Sequence, residues 1–264
     1  MKSVVIGQGF IGTHLIERLK DLGHAVTVYH HKEPLDFNSA DYVFYLASYG
    51  NHYSQNDRFQ TIQANLLDLL SALEHTKDMD YKGFIHFSTS SVTLPVQTLY
   101  SETKAIAEYF VRKKNHKNGK PTVSIRPASI YGPGEAEHRF IPTVIHNIKK
   151  NKPIKLTDGM HDWTYIEDFI DGVIAVINNI DQVKGRAVGI GTGIQTPNRG
   201  IINKLFRIAG KEVPINKSTS VARVYDTTNW TVDATLVRSF GWEPKHTTEE
   251  GLQKTYESTG KTSN

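Results

Sequence analysis

Ser3-Val-Val-Ile6, followed by Gly7-Gln8-Gly9-Phe10-Ile11-Gly12 and a helical pattern that begins at Thr13, is the stretch that decides the fold. A short apolar strand, a G-x-G-x-x-G turn and a helix, in that order, form a dinucleotide cradle. The unpaired amides of a helix N-terminus attract pyrophosphate, and glycine lets the backbone approach it. Ile11, Leu15, Leu19 and Leu22 recur on one helical face, and Gly23 stands where a C′ glycine ends a helix. Gly7, Gly9, Phe10, Ile11 and Gly12 are therefore candidate cofactor contacts.

Outward from this turn, the second strand is expected at Ala25 to Tyr29, and its tip reads His30-His31-Lys32. NAD sites of this type usually place an acid there to hold the ribose 2′-hydroxyl, so a basic tip leans toward NADP, whose 2′-phosphate wants cations; the alternative is an ordinary basic turn. Asp41 to Ala47 is a nearly continuous apolar run, suited to a strand buried on both faces. Leu66, Leu69, Leu70 and Leu73 give a helical stripe, and Gly83 to Phe87 gives a further strand that ends in Ser88-Thr89-Ser90-Ser91. Strands alternating with helices in this way predict an α/β fold, a Rossmann-type doubly wound parallel sheet with right-handed crossovers. Ligands of such sheets sit beyond the carboxyl ends of the strands, where the glycine turn and the hydroxyl cluster both fall.

Tyr100 and Lys104 open the next helix four residues apart, on a shared face. A neighbouring ammonium is expected to pull the phenol below its ordinary value of about 10 and make it a usable acid or base. Tyr109 and Lys113 repeat the spacing, but in mid-helix and away from the hydroxyl cluster, so they read as structural.

The second half alternates less regularly. Thr122 to Arg126 and Arg186 to Ile190 read as strands, Phe169, Ile170, Val173, Ile174 and Ile177 as a core-facing helical stripe, Pro197 as the first residue of a helix, and Thr247 with Glu250 as a capping box. The expected organisation is a dinucleotide-binding core over residues 1–130 with late elements from about 160–190. Residues 131–264 form mainly a smaller substrate-binding subdomain interleaved with it. The 264 residues contain no cysteine, which excludes disulfides, thiolate metal sites and cysteine nucleophiles. No signal peptide or membrane span is legible, and the expected location is the cytoplasm. The net charge of +4 suits an anionic ligand. The dense basic run from Arg112 to Lys120 closes a helix, so no nucleic-acid partner is expected. The histidines lack metal-ligand spacing, so no metal is expected, and Trp163, Trp230 and Trp242 read as packing residues.

Gly9-Phe10-Ile11-Gly12, the Asp41-to-Ala47 run, Ser88-Thr89-Ser90, Tyr100-x-x-x-Lys104, Arg126-Pro127, Tyr131-Gly132-Pro133-Gly134, the Asp162-to-Asp168 segment and Gly241-Trp242-x-Pro244 occur in an order that resembles the extended short-chain dehydrogenases/reductases, above all their NAD(P)-dependent nucleotide-sugar epimerase/dehydratase branch. The resemblance implies that Tyr100 is the catalytic acid/base, that Lys104 holds the nicotinamide ribose and tunes Tyr100, and that Thr89, with Ser90 beside it, contacts the reacting oxygen. It places Asp36 and Phe37 at the adenine and Leu46, Ala47 and Ser48 along the cofactor. Asn65 falls on the nearby helix, and Pro127 and Ala128 fall near the nicotinamide. In the substrate half it implies roles for Ser129 and His161, and it makes Arg223 a diphosphate ligand. The sequence also departs from the pattern. Ser91 stands where sugar dehydratases carry a glutamate, which argues against 4,6-dehydration; Ser129 and His161 replace residues often found there, and the short link from Thr89 to Tyr100 implies an open substrate mouth.

The resemblance implies hydride transfer at a ring carbon of a nucleotide-activated sugar. An epimerase would retain NAD and return the hydride to the other face, whereas a reductase of 4-keto-sugars or other carbonyls would accept NADPH. A reading of another class, a non-catalytic dinucleotide-sensing scaffold, also remains open. A homodimer through paired helices would be typical of such relatives.

Overall fold

The computed structural model describes residues 1–30, 33–52, 54–156, 158–217 and 230–259. Its first half runs β1 (Lys2–Ile6), α1 (Phe10–Asp21), β2 (Ala25–Tyr29), β3 (Tyr42–Tyr45), α2 (Arg58–Ile62), a π-helical turn (Gln63–Leu67), α3 (Asp68–His75), β4 (Gly83–Phe87), α4 (Leu99–Asn118) and β5 (Thr122–Pro127). Gly23 (φ +78°) and Gly119 (φ +64°) close α1 and α4 in the left-handed region that glycine adopts without a Cβ clash. At its start α4 has a capping box, in which Thr98 accepts from the Ser101 amide and Ser101 from the Thr98 amide.

The second half runs β6 (Ser129–Tyr131), α5 (Phe140–Lys149), β7 (Ile154–Leu156), β8 (Met160–Tyr165), α6 (Ile166–Asn178), α7 (Ile180–Val183), β9 (Ala187–Ile190), β10 (Gln195–Pro197), α8 (Asn198–Ala209), β11 (Ile215–Lys217), α9 (Thr235–Arg238) and α10 (Thr248–Ser258). Pro197 is not the first helical residue: it pairs with Met160 as the end of β10, and α8 begins one residue later. Thr247 and Glu250 cap α10 reciprocally.

Six strands form one parallel sheet in the order β2-β1-β3-β4-β5-β9. The chain reverses its direction of winding at β1, so the switch point lies between β1 and β3, with the glycine turn at its mouth. Between β2 and β3 the described residues form no helix, and β2 is left as the sheet edge with Ala25 and Thr27 exposed. Alternate strand residues feed two apolar layers. Val5, Phe44, Ile85, Phe87, Ile125 and Ile190 meet α1 and α6 on one face, and Val4, Val43, Tyr45 and Phe84 meet α3 and α4 on the other. The separate sheet β10-β8-β6 continues from the carboxyl end of β5, and β11 pairs with β7.

Two buried carboxylates tie the elements of the second half to one another. Asp162 accepts from the Thr192 amide and hydroxyl, the Gly193 amide, the Val232 amide and the Thr164 hydroxyl. Asp168 accepts from the Lys245 and His246 amides and the His246 ring. Among the described residues no helix is long and apolar enough to cross a membrane, and no group of three His, Asp or Glu could hold a metal.

Candidate active site

After β1 the backbone turns at Gly7 with φ +101°, and a Cβ there would lie 2.5 Å from the Ala47 amide nitrogen; at Gly12 it would lie 2.6 Å from the Gly7 carbonyl oxygen. Both glycines therefore permit the close approach of α1 and β3 to the turn. Gly9 differs, because a Cβ there meets nothing within 4 Å, so its side of the loop is open. No side chain caps α1 and its first turn carries no acid, which leaves the amides of Phe10 and Ile11 for a ligand. An open glycine turn with uncapped amides fits the pyrophosphate of a dinucleotide. The amides of Leu46 and Ala47 both donate to the Ile6 carbonyl (2.8 and 2.9 Å), holding the end of β3 along this turn, with Ser48 exposed just beyond.

At the end of β2, His30 is exposed and its amide donates to Glu33 Oε2 at 2.6 Å. His31 and Lys32 lie outside the described residues. Asp36 accepts from the Tyr29 phenol, and the Phe37 ring packs 5.6 Å from that of Tyr29, so a carboxylate stands at the tip of this strand.

The other end of the cleft is built on β4. Lys104 is 1% exposed and its ammonium donates to the carbonyl of Phe87, the last residue of the strand, at 2.8 Å. Burial pushes Lys104 down to about 7, against which Glu108 pulls upward. Glu108 itself is gripped in a fork by Arg126 (Nε–Oε1 2.9 Å, Nη2–Oε2 2.6 Å). Beneath Lys104, His86 is fully buried and lies 3.1 Å from the Ser124 hydroxyl; burial, with Lys104 adding to it, holds its ring well below the ordinary histidine value.

Thr89 caps the 3-10 turn at Ser90–Thr93, receiving the Ser91 amide at 3.2 Å and lying 3.0 Å from the Ser91 hydroxyl. Thr89, Asn51 and Ser48 surround the Tyr100 phenol and favour its anion. Burial nevertheless dominates and pushes Tyr100 up to about 12, which corrects the expectation of a depressed value. The cation that opposes burial is Arg139 rather than Lys104, whose nitrogen is spent on the strand carbonyl.

The remaining candidates fall on two sheets. Pro127 and Ala128 lie at the end of β5, where the Ala128 amide donates to Ile190, and Ser129 pairs with Trp163 across β6 and β8. His161 packs against Trp163 and Trp230, and the Trp230 indole donates to the Ser90 hydroxyl at 3.0 Å. Trp230 is thus a contact of Ser90, just beyond β4, as well as a packing residue. Asn65 is fully buried: it accepts from the Tyr49 amide and donates to the Tyr49 carbonyl and the Thr103 hydroxyl, tying the loop after β3 to α4. Arg223 lies outside the described residues. Sequence reasoning missed Asn51, which a loop contact alone brings to Tyr100. It also missed Arg139 and Glu135, whose i,i+4 spacing after Gly132-Pro133-Gly134 was the available signal.

An open parallel sheet, a bare glycine turn at its switch point and a Tyr100–Lys104 pair at the next strand ends define a dinucleotide-binding α/β protein of the short-chain dehydrogenase type. A sequence profile of the NAD-dependent epimerase/dehydratase family matches residues 4–191, and the chain belongs to that family. It is 26% identical over 223 residues to a dTDP-glucose 4,6-dehydratase of Escherichia coli, an alignment that takes in 81% of this chain and 61% of that one. The chain thus spans less than two thirds of that relative. Among solved structures it resembles UDP-glucuronic acid 4-epimerase from Bacillus cereus in complex with UDP-glucuronic acid and NAD (TM-score 0.87, 24% identity, 98% of each chain). It also resembles RMD from Pseudomonas aeruginosa complexed with NADPH (TM-score 0.82, 18% identity, 98% of each chain). At these identities the likeness is one of fold.

Proposed function

We propose that this protein is an NAD-dependent enzyme that moves hydride at a ring carbon of a nucleotide-activated sugar, with Tyr100 as acid/base. The observation that carries this reading is the end of β4, where Thr89, Ser48 and Asn51 act as partners of the Tyr100 phenol while Lys104 is anchored on Phe87, the last residue of the strand. A nicotinamide, when bound, supplies the hydride acceptor and donor. Gly7, Gly9, Phe10, Ile11 and Gly12 would hold the pyrophosphate, Asp36 and Phe37 the adenosine end, Leu46 to Ser48 the middle, and Pro127 and Ala128 the nicotinamide end.

Tyr100 removes the proton from the sugar hydroxyl on oxidation and returns one on reduction. The Thr89 hydroxyl accepts from the Ser91 amide and has a proton to donate to the reacting oxygen or the phenolate. Lys104, whose charge is balanced near neutrality, adds positive potential when protonated. Ser91, engaged with Thr89, stands where the resemblance puts a dehydratase's glutamate, so the site suits epimerisation better than 4,6-dehydration.

The family's NAD dependence supports NAD over the NADP suggested by the basic tip. Phe59, Leu67, Ile106 and Tyr109 are exposed apolar residues on α2, the π-helical turn and α4, which supports a homodimer through those helices. The test is to denature the purified protein, identify any released dinucleotide by mass, and assay UDP- and dTDP-sugars for turnover. Retained NAD with epimerised product bears out the proposal. An empty site that prefers NADPH assigns the protein as a reductase, and binding of neither dinucleotide overturns the enzyme reading.

A further inference from the structure

The side of β5 that faces α4 carries a row of polar residues in an otherwise apolar layer. Thr122, Ser124 and Arg126 alternate with Val123 and Ile125, whose side chains enter the opposite layer. Each of the three has its own partner. The Thr122 hydroxyl donates to the Val111 carbonyl of α4 at 2.7 Å, and Ser124 lies 3.1 Å from the His86 ring. Arg126 forks onto Glu108 of α4, with Nε–Oε1 at 2.9 Å and Nη2–Oε2 at 2.6 Å.

Lys104 belongs to the same cluster. It lies one helical turn before Glu108, on the same face of α4, and its ammonium donates to Phe87, the strand residue that follows His86. The titratable side chains of this layer around Lys104 are Tyr100 and Glu108 on α4, Tyr45 on β3, His86 on β4 and Arg126 on β5. Two cations, Lys104 and Arg126, thus compete for a single carboxylate.

The carboxylate goes to Arg126. A guanidinium meets both oxygens at once in two parallel charge-assisted bonds, whereas an ammonium offers one point charge. Glu108 also stands C-terminal to Lys104, the weaker order for a helical pair. The Glu108 side chain is 12% exposed with both oxygens on Arg126, and Lys104 keeps the Phe87 carbonyl as its one hydrogen-bond partner among the described residues.

We propose that Arg126 is a positioning residue: by taking both oxygens of Glu108 it denies that carboxylate to Lys104, and so leaves the ammonium on the Phe87 carbonyl, available to a bound dinucleotide. This rests on the dinucleotide-binding reading given above. Without the fork, the Glu108 charge would draw the ammonium into a helical ion pair and hold its proton to higher pH.

NMR on isotope-labelled lysine follows the titration of Lys104 in protein stripped of dinucleotide, its signal being the one that Lys104→Met removes. NADH titration of the same variants reports binding. Arg126→Gln should raise the Lys104 midpoint by at least about one pH unit and weaken NADH about tenfold. Adding Glu108→Gln to it should reverse both, returning NADH affinity to within about twofold of wild type, because the competing carboxylate is gone. Arg126→Lys, which keeps the charge without the fork, should lie between wild type and Arg126→Gln. A fork that only braces α4 against β5 is lost equally in the single and the double variant. A double variant no better than Arg126→Gln, or a midpoint that Arg126→Gln leaves in place, therefore overturns the proposal. Glu108→Gln alone breaks the same fork yet leaves no acid to compete, and should keep NADH affinity within about twofold. A tenfold loss there overturns the proposal even where Arg126→Gln does not fold. Wild-type protein that binds neither NADH nor NADPH overturns the proposed function, while the lysine titration still decides the role of Arg126.

Discussion

The ammonium of Lys104 donates to the backbone oxygen of Phe87 at 2.8 Å, binding α4 to the last residue of β4. This bond accounts for a lysine that is 1% exposed without an ion pair: a strand carbonyl offers partial negative charge and no more. The ammonium is consequently destabilised, and its balance near 7 makes its protonation responsive to whatever charge comes beside it.

That depression has a thermodynamic signature. The unfolded lysine titrates near 10.4, so between about 7 and 10 the unfolded chain holds the extra proton and native stability gains with rising pH. Below 7 both states are protonated and the burial penalty is fully present. The advantage of Lys104→Met over wild type in chemical denaturation should therefore shrink as pH climbs from 7 to 10, by up to about 1.4 kcal/mol per unit. A difference independent of pH would show that Lys104 is not depressed.

Tyr100→Phe should lower turnover by a factor of about 10²–10⁴ while leaving dinucleotide retention unchanged, because only the phenolic oxygen is removed. Measuring both on one preparation makes the check; a variant with wild-type turnover removes Tyr100 from the chemistry.

The proposed preference for NAD is testable at Asp36, which accepts from Tyr29. Protein stripped of dinucleotide should bind NADH more tightly than NADPH, and Asp36→Ala should narrow the gap. Tighter binding of NADPH would return the decision to the basic residues beside it.

Asp162 is 2% exposed and receives hydrogen bonds from Thr192, Gly193, Val232 and Thr164. Asp162→Ala strands several of these donors and should cost about 3 kcal/mol or more, lowering the melting temperature by several degrees. Unchanged melting would mean that water replaces the carboxylate.

If α2 and α4 form a dimer interface, Ile106→Glu combined with Tyr109→Glu should shift the mass in light scattering from two chains to one. A wild-type protein that is already monomeric contradicts the interface.

Much of the core was legible because its signals are local. Gly7 to Gly12, the run ending at Ala47 and the strand Gly83–Phe87 each declare their environment within a few residues. The electrostatics of Tyr100 were not legible. Spacing along α4 brings Lys104 near it, but the opposing cation comes from Arg139, 39 residues later, and burial outweighs both. Pro197 was misassigned by one position because the competing pairing with Met160 belongs to a strand far away in sequence. Trp230 reads as apolar filling until the fold brings its N–H to Ser90.

The pairing of β5 with β9 also bears on how the chain is made. When β5 leaves the ribosome its outer edge has no neighbour, and residues 128–186 must be synthesised before Ala187–Ile190 can cover it. At ~5–20 residues per second that leaves a bare strand edge for several seconds, an interval in which nascent chains are exposed to mispairing and in which a chaperone would have something to hold.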